Sequence, residues 1–428
     1  MTFGANVEEM ALKRRFSCLP SSHVTECANL LAMSTVRGTV APGFEPVRHA
    51  FEANFRTRGE IGAACCVYVK GERVVDLWGG SRDEQTRAPW EPDTMVIVFS
   101  TTKGMTAVAL AVAHSQGLFE WDDPVAKYWP EFAQNGKAAI SVRQLLSHQA
   151  GLSAVDVPLD PARLANLDDL AKVLAAQRPS WQPGTRSGYH AISIGWYVSE
   201  LLRRVDSKKR SAGRFFAEEV AKPLGVEFYI GLPASVPTER LARIKAVNKT
   251  SLLFKMNPKS LPWPFVRDML LPKRLAARSF NNPRVTPSQL VQRLEYRTIE
   301  MPASNGIGSA RAIARVYASM ATGGHELGIK TATLDDLKKA PRVPSGGPRD
   351  LVLHVDAAFS CGFTKPCSMT RFGTSDTAFG TPGAGGSFGF ADPDRELGYA
   401  YVMNHMGYHI ADDPREKALR DATYACLR

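Results

Sequence analysis

The sequence predicts an α+β fold: one antiparallel sheet built from both ends of the chain, flanked by helices, with a helical domain inserted between them. Three observations predict it. Near the N-terminus a helical pattern runs into a hairpin pattern, near the C-terminus a hairpin pattern runs into a helical one, and the middle is mostly helical in periodicity. Two mirrored end-pieces of this kind complete one sheet when their hairpins pair side by side.

Each element has its own signature. In residues 44–56, Phe44, Val47, Phe51 and Phe55 fall on one helical stripe. Residues 64–69 and 73–78 are β-rich runs around Gly71-Glu72, which marks a hairpin turn. Residues 94–99 form a third β-rich run, and 105–113 after them read as helix. Helical spacing recurs in 142–147, 167–176, 192–205 and 213–221. Residues 250–285 differ, because Leu252, Leu253, Phe254, Met256, Trp263, Phe265 and Leu270 are interrupted by Pro258, Pro262, Pro264 and Pro272. Prolines at that density forbid a long helix. Such a segment is either a lid or wall over an apolar pocket, or an irregular stretch packed on the core. Residues 386–391 and 397–403 are a second hairpin around Asp392-Pro393-Asp394-Arg395, and 414–427 close the chain as a helix.

These signatures divide the chain into a leader (1–38), a sheet domain (39–122 with 296–428) and a helical domain (123–295) that carries the lid-like segment 250–285. The leader reads as a disordered extension or an over-long assigned start ahead of Met33. Lys13-Arg14-Arg15 is followed by residues too polar for a signal-peptide core.

Composition narrows the function. With 428 residues, 44% of them hydrophobic and 22% charged, the chain is an ordinary globular one that can bury a large core. No apolar stretch approaches membrane-spanning length, so no integral membrane segment is expected. Seven cysteines, an odd number with Cys65 and Cys66 adjacent, do not make a disulfide framework; a reducing, cytoplasmic location fits them. The net charge of +11 is scattered and lacks aromatic-studded basic motifs, which argues against a nucleic-acid partner. The nine histidines show no ligand spacing, so neither a metal nor another cofactor is expected.

Chemistry concentrates at Ser100-Thr101-Thr102-Lys103, the only S-x-x-K in the chain. It stands where a β-rich run gives way to a helical one. One turn of helix sets the Ser100 hydroxyl and the Lys103 amine on a common face, and the helix N-terminus offers free N–H groups to a developing oxyanion. A serine becomes nucleophilic when a neighbouring base takes its proton, and a lysine serves as that base when burial lowers its pKa. Further on, Trp181-Gln182-Pro183-Gly184 leads through a polar loop to Tyr189-His190-Ala191 at a helix mouth. Thr381-Pro382-Gly383-Ala384-Gly385-Gly386-Ser387 then precedes a strand, with small residues that let backbone approach a ligand. Gly385-Gly386-Ser387-Phe388-Gly389 also matches G-x-S-x-G, but that motif needs a strand–turn–helix setting and no helix follows here.

In this order the three motifs resemble the serine β-lactamase/penicillin-binding-protein superfamily, and most of all the class C β-lactamase-like esterases, the family VIII carboxylesterases. The phrases Leu145-Leu146-Ser147-His148-Gln149-Ala150-Gly151-Leu152, Pro223-Leu224-Gly225, Asn305-Gly306 and Phe388-Gly389-Phe390-Ala391-Asp392-Pro393 extend the likeness over about residues 42–425. The resemblance implies a class C β-lactamase-like fold with its site between the sheet domain and the helical domain. It implies Ser100 as acylated nucleophile, Lys103 and Tyr189 sharing the proton transfers, and the backbone N–H groups of Ser100 and Ala384 as oxyanion hole. Thr381, Gly383, Gly385, His190, Gln149, Trp263 and Phe265 are the candidate substrate contacts. Two departures narrow the substrate. His190-Ala191 replaces the x-Asn that follows Tyr or Ser in β-lactamases and peptidases, and Thr381 stands where a carboxylate-gripping cation is usual. The expected activity is therefore cleavage of a small-molecule ester with a short or medium acyl or aryl group, ahead of β-lactam or D,D-peptide hydrolysis or a catalytically silent binding role.

Overall fold

The computed structural model describes residues 36–247 and 262–428. Residues 1–35 of the expected leader lie outside the described residues, as do Leu252, Leu253, Phe254, Met256 and Pro258 of the proline-punctuated stretch. The first strand starts at Arg37, so Arg37 and Gly38, assigned above to the leader, belong to the sheet.

In chain order the strands are β1 (Arg37–Val40), β2 (Gly62–Val69), β3 (Glu72–Asp83), β4 (Ala88–Pro89), β5 (Val96–Ile97), β6 (Phe228–Tyr229), β7 (Ile307–Gly308), β8 (Phe359–Ser360), β9 (Phe363–Thr364), β10 (Phe379–Pro382), β11 (Phe388–Asp392) and β12 (Leu397–Met403). Among the described residues, nine of them form an antiparallel sheet ordered β1-β3-β2-β12-β11-β10-β9-β8, with β4 beside β3; β5, β7 and β6 form a small second sheet. The two ends of the chain meet where β2 pairs with β12, Cys65 opposite Tyr401 and Ala63 opposite Met403. The β2–β3 turn falls at Lys70-Gly71, one residue before the expected Gly71-Glu72. Both residues have positive φ, 51° and 81°, which is the backbone that matches a two-residue turn to strand twist.

Six helices position the site: α1 (Glu45–Thr57), α2 (Thr101–Ser115), α3 (Ser193–Val205), α4 (Trp263–Leu270), α5 (Ala310–Ala321) and α6 (Pro414–Ala425). Alternation along the strands feeds two cores. On one face of the sheet Cys65, Val67, Tyr399 and Tyr401 pack with Val47 and Phe51 of α1 and Leu419 of α6. On the other, Cys66, Ala400 and Val402 join a core with Ile313 and Tyr317 of α5 and most of α2. The adjacent cysteines thus point to opposite faces. Helix α2 is buried at every residue except His114, as its apolar sequence on all sides requires. Residues 142–147 and 167–176 are helical as the spacing predicts, at Val142–Leu146 and Leu167–Ala176. The prolines of the lid-like segment bracket α4: Pro262 caps it, Pro264 occupies its first turn and Pro272 follows its end. Among the described residues no helix is long and apolar enough to cross a membrane.

Candidate active site

Ser100 sits at the head of α2, where extended chain turns into helix within one residue. The β-rich run 94–99 yields only the short β5, because Phe99 adopts a left-handed conformation with φ 47°. Two bonds hold that elbow: Thr102 Oγ1 donates to the Phe99 carbonyl at 2.5 Å and accepts from the Gly306 N–H at 2.8 Å. One turn on, Lys103 Nζ lies 3.2 Å from Ser100 Oγ. It also donates to the carbonyls of Ala191 at 2.7 Å and Ala303 at 2.9 Å. Lys103 is 6% exposed, and among the described residues no carboxylate pairs with it. Burial therefore lowers its pKa to about 7.

Tyr189 is buried, and its ring lines the same cavity as Ser100. Burial raises the phenol above its ordinary range, with the Ser100 hydroxyl pulling the other way, so the ring is neutral at physiological pH. Lys103 Nζ stands 4.8 Å over the ring centroid. The backbone of Tyr189 is anchored by Asp350, whose Oδ1 accepts from the N–H groups of Tyr189 (3.1 Å), Val352 (2.8 Å) and Leu353 (2.8 Å).

His190 braces its loop and does not line the cavity. It is fully buried; its Nδ1–H meets the Gly188 carbonyl at 2.7 Å and its Nε2 accepts from the Leu152 N–H at 3.0 Å. Burial holds its pKa down at about 3. Its own N–H donates to His148 Nδ1 at 3.1 Å, so the pair stiffens the loop that carries Tyr189. Gln149 is likewise turned away, its amide donating to the Arg342 carbonyl at 2.7 Å.

The β10–β11 turn lies against the same elbow. A Cβ on Gly383 would come 2.4 Å from the Val98 carbonyl and 2.8 Å from Thr101 Oγ1, so only glycine permits this approach. Gly383 therefore packs behind Ser100 and does not face the cavity, whereas Ala384 and Gly385 line it beside Ser100. Thr381 is 2% exposed and faces Tyr317 and Gly104, away from the cavity; strand alternation gives that place to Pro382. Ser387 is buried, donates to the Val98 carbonyl at 2.9 Å and meets Thr101 Oγ1 at 3.1 Å, so the G-x-S-x-G serine has no access to the cavity.

Ser100 and Tyr189 open into a cavity of about 450 Å³. Its walls come from α4, from Phe359 of β8, from the loop around Met369, and from residues 406–410. Among the described residues none of its lining side chains is Lys, Arg, Asp or Glu. Phe265 faces it, with Val266 and Met269 of the same helix. Trp263 does not: it is 61% exposed at the first turn of α4. Sequence reasoning missed Phe280, Leu353, Phe359, Met369 and Met406, which carry no motif and are joined only by the fold. It also missed Asp350 and the carbonyl of Ala303; the second has no side-chain signal to find.

A serine heading a buried helix, a lysine one turn on and a tyrosine opposite define a serine hydrolase of the S-x-x-K kind. The chain belongs to the Beta-lactamase family, whose model matches residues 47–423. It is 33% identical over 377 residues to the esterase/beta-lactamase LipL of Mycobacterium tuberculosis, covering 87% of this chain and 83% of that protein. The crystal structure of a family VIII carboxylesterase superposes with a TM-score of 0.79 at 37% identity, covering 92% of this chain and all of the other. EstA from Arthrobacter nitroguajacolicus Rue61a superposes with a TM-score of 0.77 at 30% identity, covering 91% of this chain and 99% of the other.

Proposed function

We propose that the protein is a carboxylesterase that cleaves small apolar esters through an acyl-enzyme on Ser100. The observation that carries this reading is Lys103 Nζ, buried with no carboxylate beside it among the described residues, 3.2 Å from the Oγ of Ser100, which lines an apolar cavity. A neutral amine has two hydrogens and one lone pair. When the Ala191 and Ala303 carbonyls take the hydrogens, the lone pair faces the Ser100 hydroxyl. Lys103 then accepts the serine proton as Oγ attacks the ester carbonyl. Tyr189, neutral, gives its proton to the leaving alkoxide and regains one from the Lys103 ammonium, which restores both groups. The N–H groups of Ser100 and Ala384 bear the oxyanion. Water then gives a proton to Lys103 as it attacks the acyl-enzyme, the Ser100–acyl bond breaks, Ser100 Oγ takes that proton back, and the carboxylic acid leaves.

The cavity wall supports an ester whose acyl or aryl group is apolar. A β-lactam or D,D-peptide carries a carboxylate, and the described lining offers no lysine or arginine to meet it. The described cysteines, Cys65, Cys66, Cys361, Cys367 and Cys426, are all free, which supports a cytoplasmic location.

Hydrolysis of p-nitrophenyl butyrate and of a chromogenic cephalosporin by wild type, Ser100→Ala and Ser387→Ala tests the reading. Ester turnover falls more than about 10³-fold in Ser100→Ala and is retained in Ser387→Ala, with little cephalosporin cleaved by any of them. Turnover lost only in Ser387→Ala overturns it.

A further inference from the structure

Arg415, in the first turn of α6, is 4% exposed and far from Ser100 in sequence, yet it reaches the turn that carries Ala384. A guanidinium has five N–H donors, and here each has an acceptor. Nε donates to Asp413 Oδ1 at 2.9 Å and Nη2 to Asp413 Oδ2 at 3.0 Å. Nη1 donates to Glu60 Oε1 at 3.1 Å and to the His405 carbonyl at 2.8 Å. The remaining Nη2 hydrogen goes to the carbonyl of Gly385 at 2.9 Å.

Those last two carbonyls belong to the two backbone segments on one side of the cavity. Gly385 follows Ala384 in the β10–β11 turn, and His405 begins the 405–410 loop whose later residues line the cavity. The Gly407 N–H also donates to the Gly385 carbonyl, at 2.9 Å, so loop and turn share one acceptor. The turn itself is supple. Gly385 and Gly386 have φ of 86° and 118°, and such a pair does not hold a peptide plane by its own torsional preference. Glu60 is in turn held by the Tyr401 hydroxyl on β12, which ties the cluster to the sheet.

We propose that Arg415 is a positioning residue for catalysis: its charge-assisted bond to the Gly385 carbonyl holds the 385–386 peptide, whose Gly386 N–H donates to the Gly383 carbonyl at 3.2 Å, and so sets the orientation of the 383–384 peptide and its Ala384 N–H toward the oxyanion. The inference rests on the assignment of that N–H to the oxyanion hole. A helix cap or an internal ion pair needs only the bonds to Asp413 and Glu60. The bonds to Gly385 and His405 are additional, and both land on backbone at the cavity. Lysine at this position keeps the charge but has three donors without a planar fork, so it meets the carboxylates at the expense of the carbonyls.

The test compares Arg415→Lys and Arg415→Ala with wild type, thermal unfolding being recorded for each. Three quantities are read: KM and kcat for p-nitrophenyl butyrate, inhibition by phenylboronic acid, which forms a tetrahedral adduct on the serine, and recovery with millimolar ethylguanidinium. In folded Arg415→Lys, kcat falls about 10- to 100-fold with KM within about threefold. Boronate affinity weakens in proportion to kcat, and ethylguanidinium restores kcat in Arg415→Ala. Unchanged kcat in folded Arg415→Lys overturns the inference, and so does a kcat loss that leaves boronate affinity intact. Boronate binding that persists in Ser100→Ala shows instead that the site itself is misassigned.

Discussion

The Lys103 amine donates to the Ala303 carbonyl at 2.9 Å, a bond spanning 200 residues of sequence. Together with the Ala191 carbonyl it turns a general-purpose cation into an oriented amine, and burial lowers that amine to about 7. The base form is the deprotonated one. Ester kcat/KM therefore rises with pH through about 7 and levels above it. Lys103→Arg keeps the charge but cannot release its proton, so it loses at least about 10³-fold in kcat/KM at every pH. A pH–rate profile with no acid limb near neutrality would count against Lys103 as the base.

The histidine brace makes the loop carrying Tyr189 sensitive to acid. His190 is held at about 3 by burial, against 6.5 for a free imidazole. Between those values the unfolded chain binds a proton that the folded chain refuses. Stability is therefore full above pH 6.5 and is lost as pH falls toward 3, by roughly 1.4 kcal/mol per pH unit from this group. His148, also held down by burial, adds in the same direction. His190→Gln, measured by urea unfolding, is less stable at neutral pH by about 1–3 kcal/mol but loses stability less steeply below pH 6.5. An equal slope in both proteins would remove His190 from this account.

The legible parts of the molecule are those whose cause is local. The S-x-x-K offset, the stripe of Val47 and Phe51, and the apolar α2 follow from spacing alone, and the structure places them as that spacing predicts. Misread residues are those whose direction depends on a distant partner. Thr381 and Gly383 occupy the motif expected to meet substrate, but strand alternation and the Val98 carbonyl send both away from the cavity. His190 adjoins Tyr189 in sequence, and the carbonyl of Gly188 and the N–H of Leu152 claim both its ring nitrogens. No local pattern marks the bond of Asp350 to Tyr189 or of Arg415 to Gly385, because each of these acts on backbone brought to it by the fold.

Trp263 and Phe265 are two residues apart and were expected to act together; the structure separates them. Phe265 lines the cavity and meets Phe280 edge-on at 5.8 Å, whereas Trp263 is 61% exposed. Phe265→Ala widens the wall, so the preferred acyl chain of p-nitrophenyl esters lengthens and kcat/KM for the butyrate drops about 10-fold. Trp263→Ala leaves the chain-length profile unchanged. A shifted profile in Trp263→Ala, with none in Phe265→Ala, would reverse this assignment.

Asp350 offers a way to separate charge from geometry at Tyr189. Its Oδ1 accepts three backbone N–H groups, and burial raises its carboxyl above the usual range. The site thus needs an oxygen acceptor more than it needs a negative charge. Asp350→Asn keeps that oxygen and stays within about 1 kcal/mol of wild type, with kcat reduced only a fewfold. Asp350→Ala strands three buried donors, costs about 3 kcal/mol or more in urea unfolding, and lowers kcat about 100-fold as the Tyr189 backbone drifts. If the asparagine variant instead behaves like the alanine one, the carboxylate charge, and with it an electrostatic influence on Tyr189, is what the site requires.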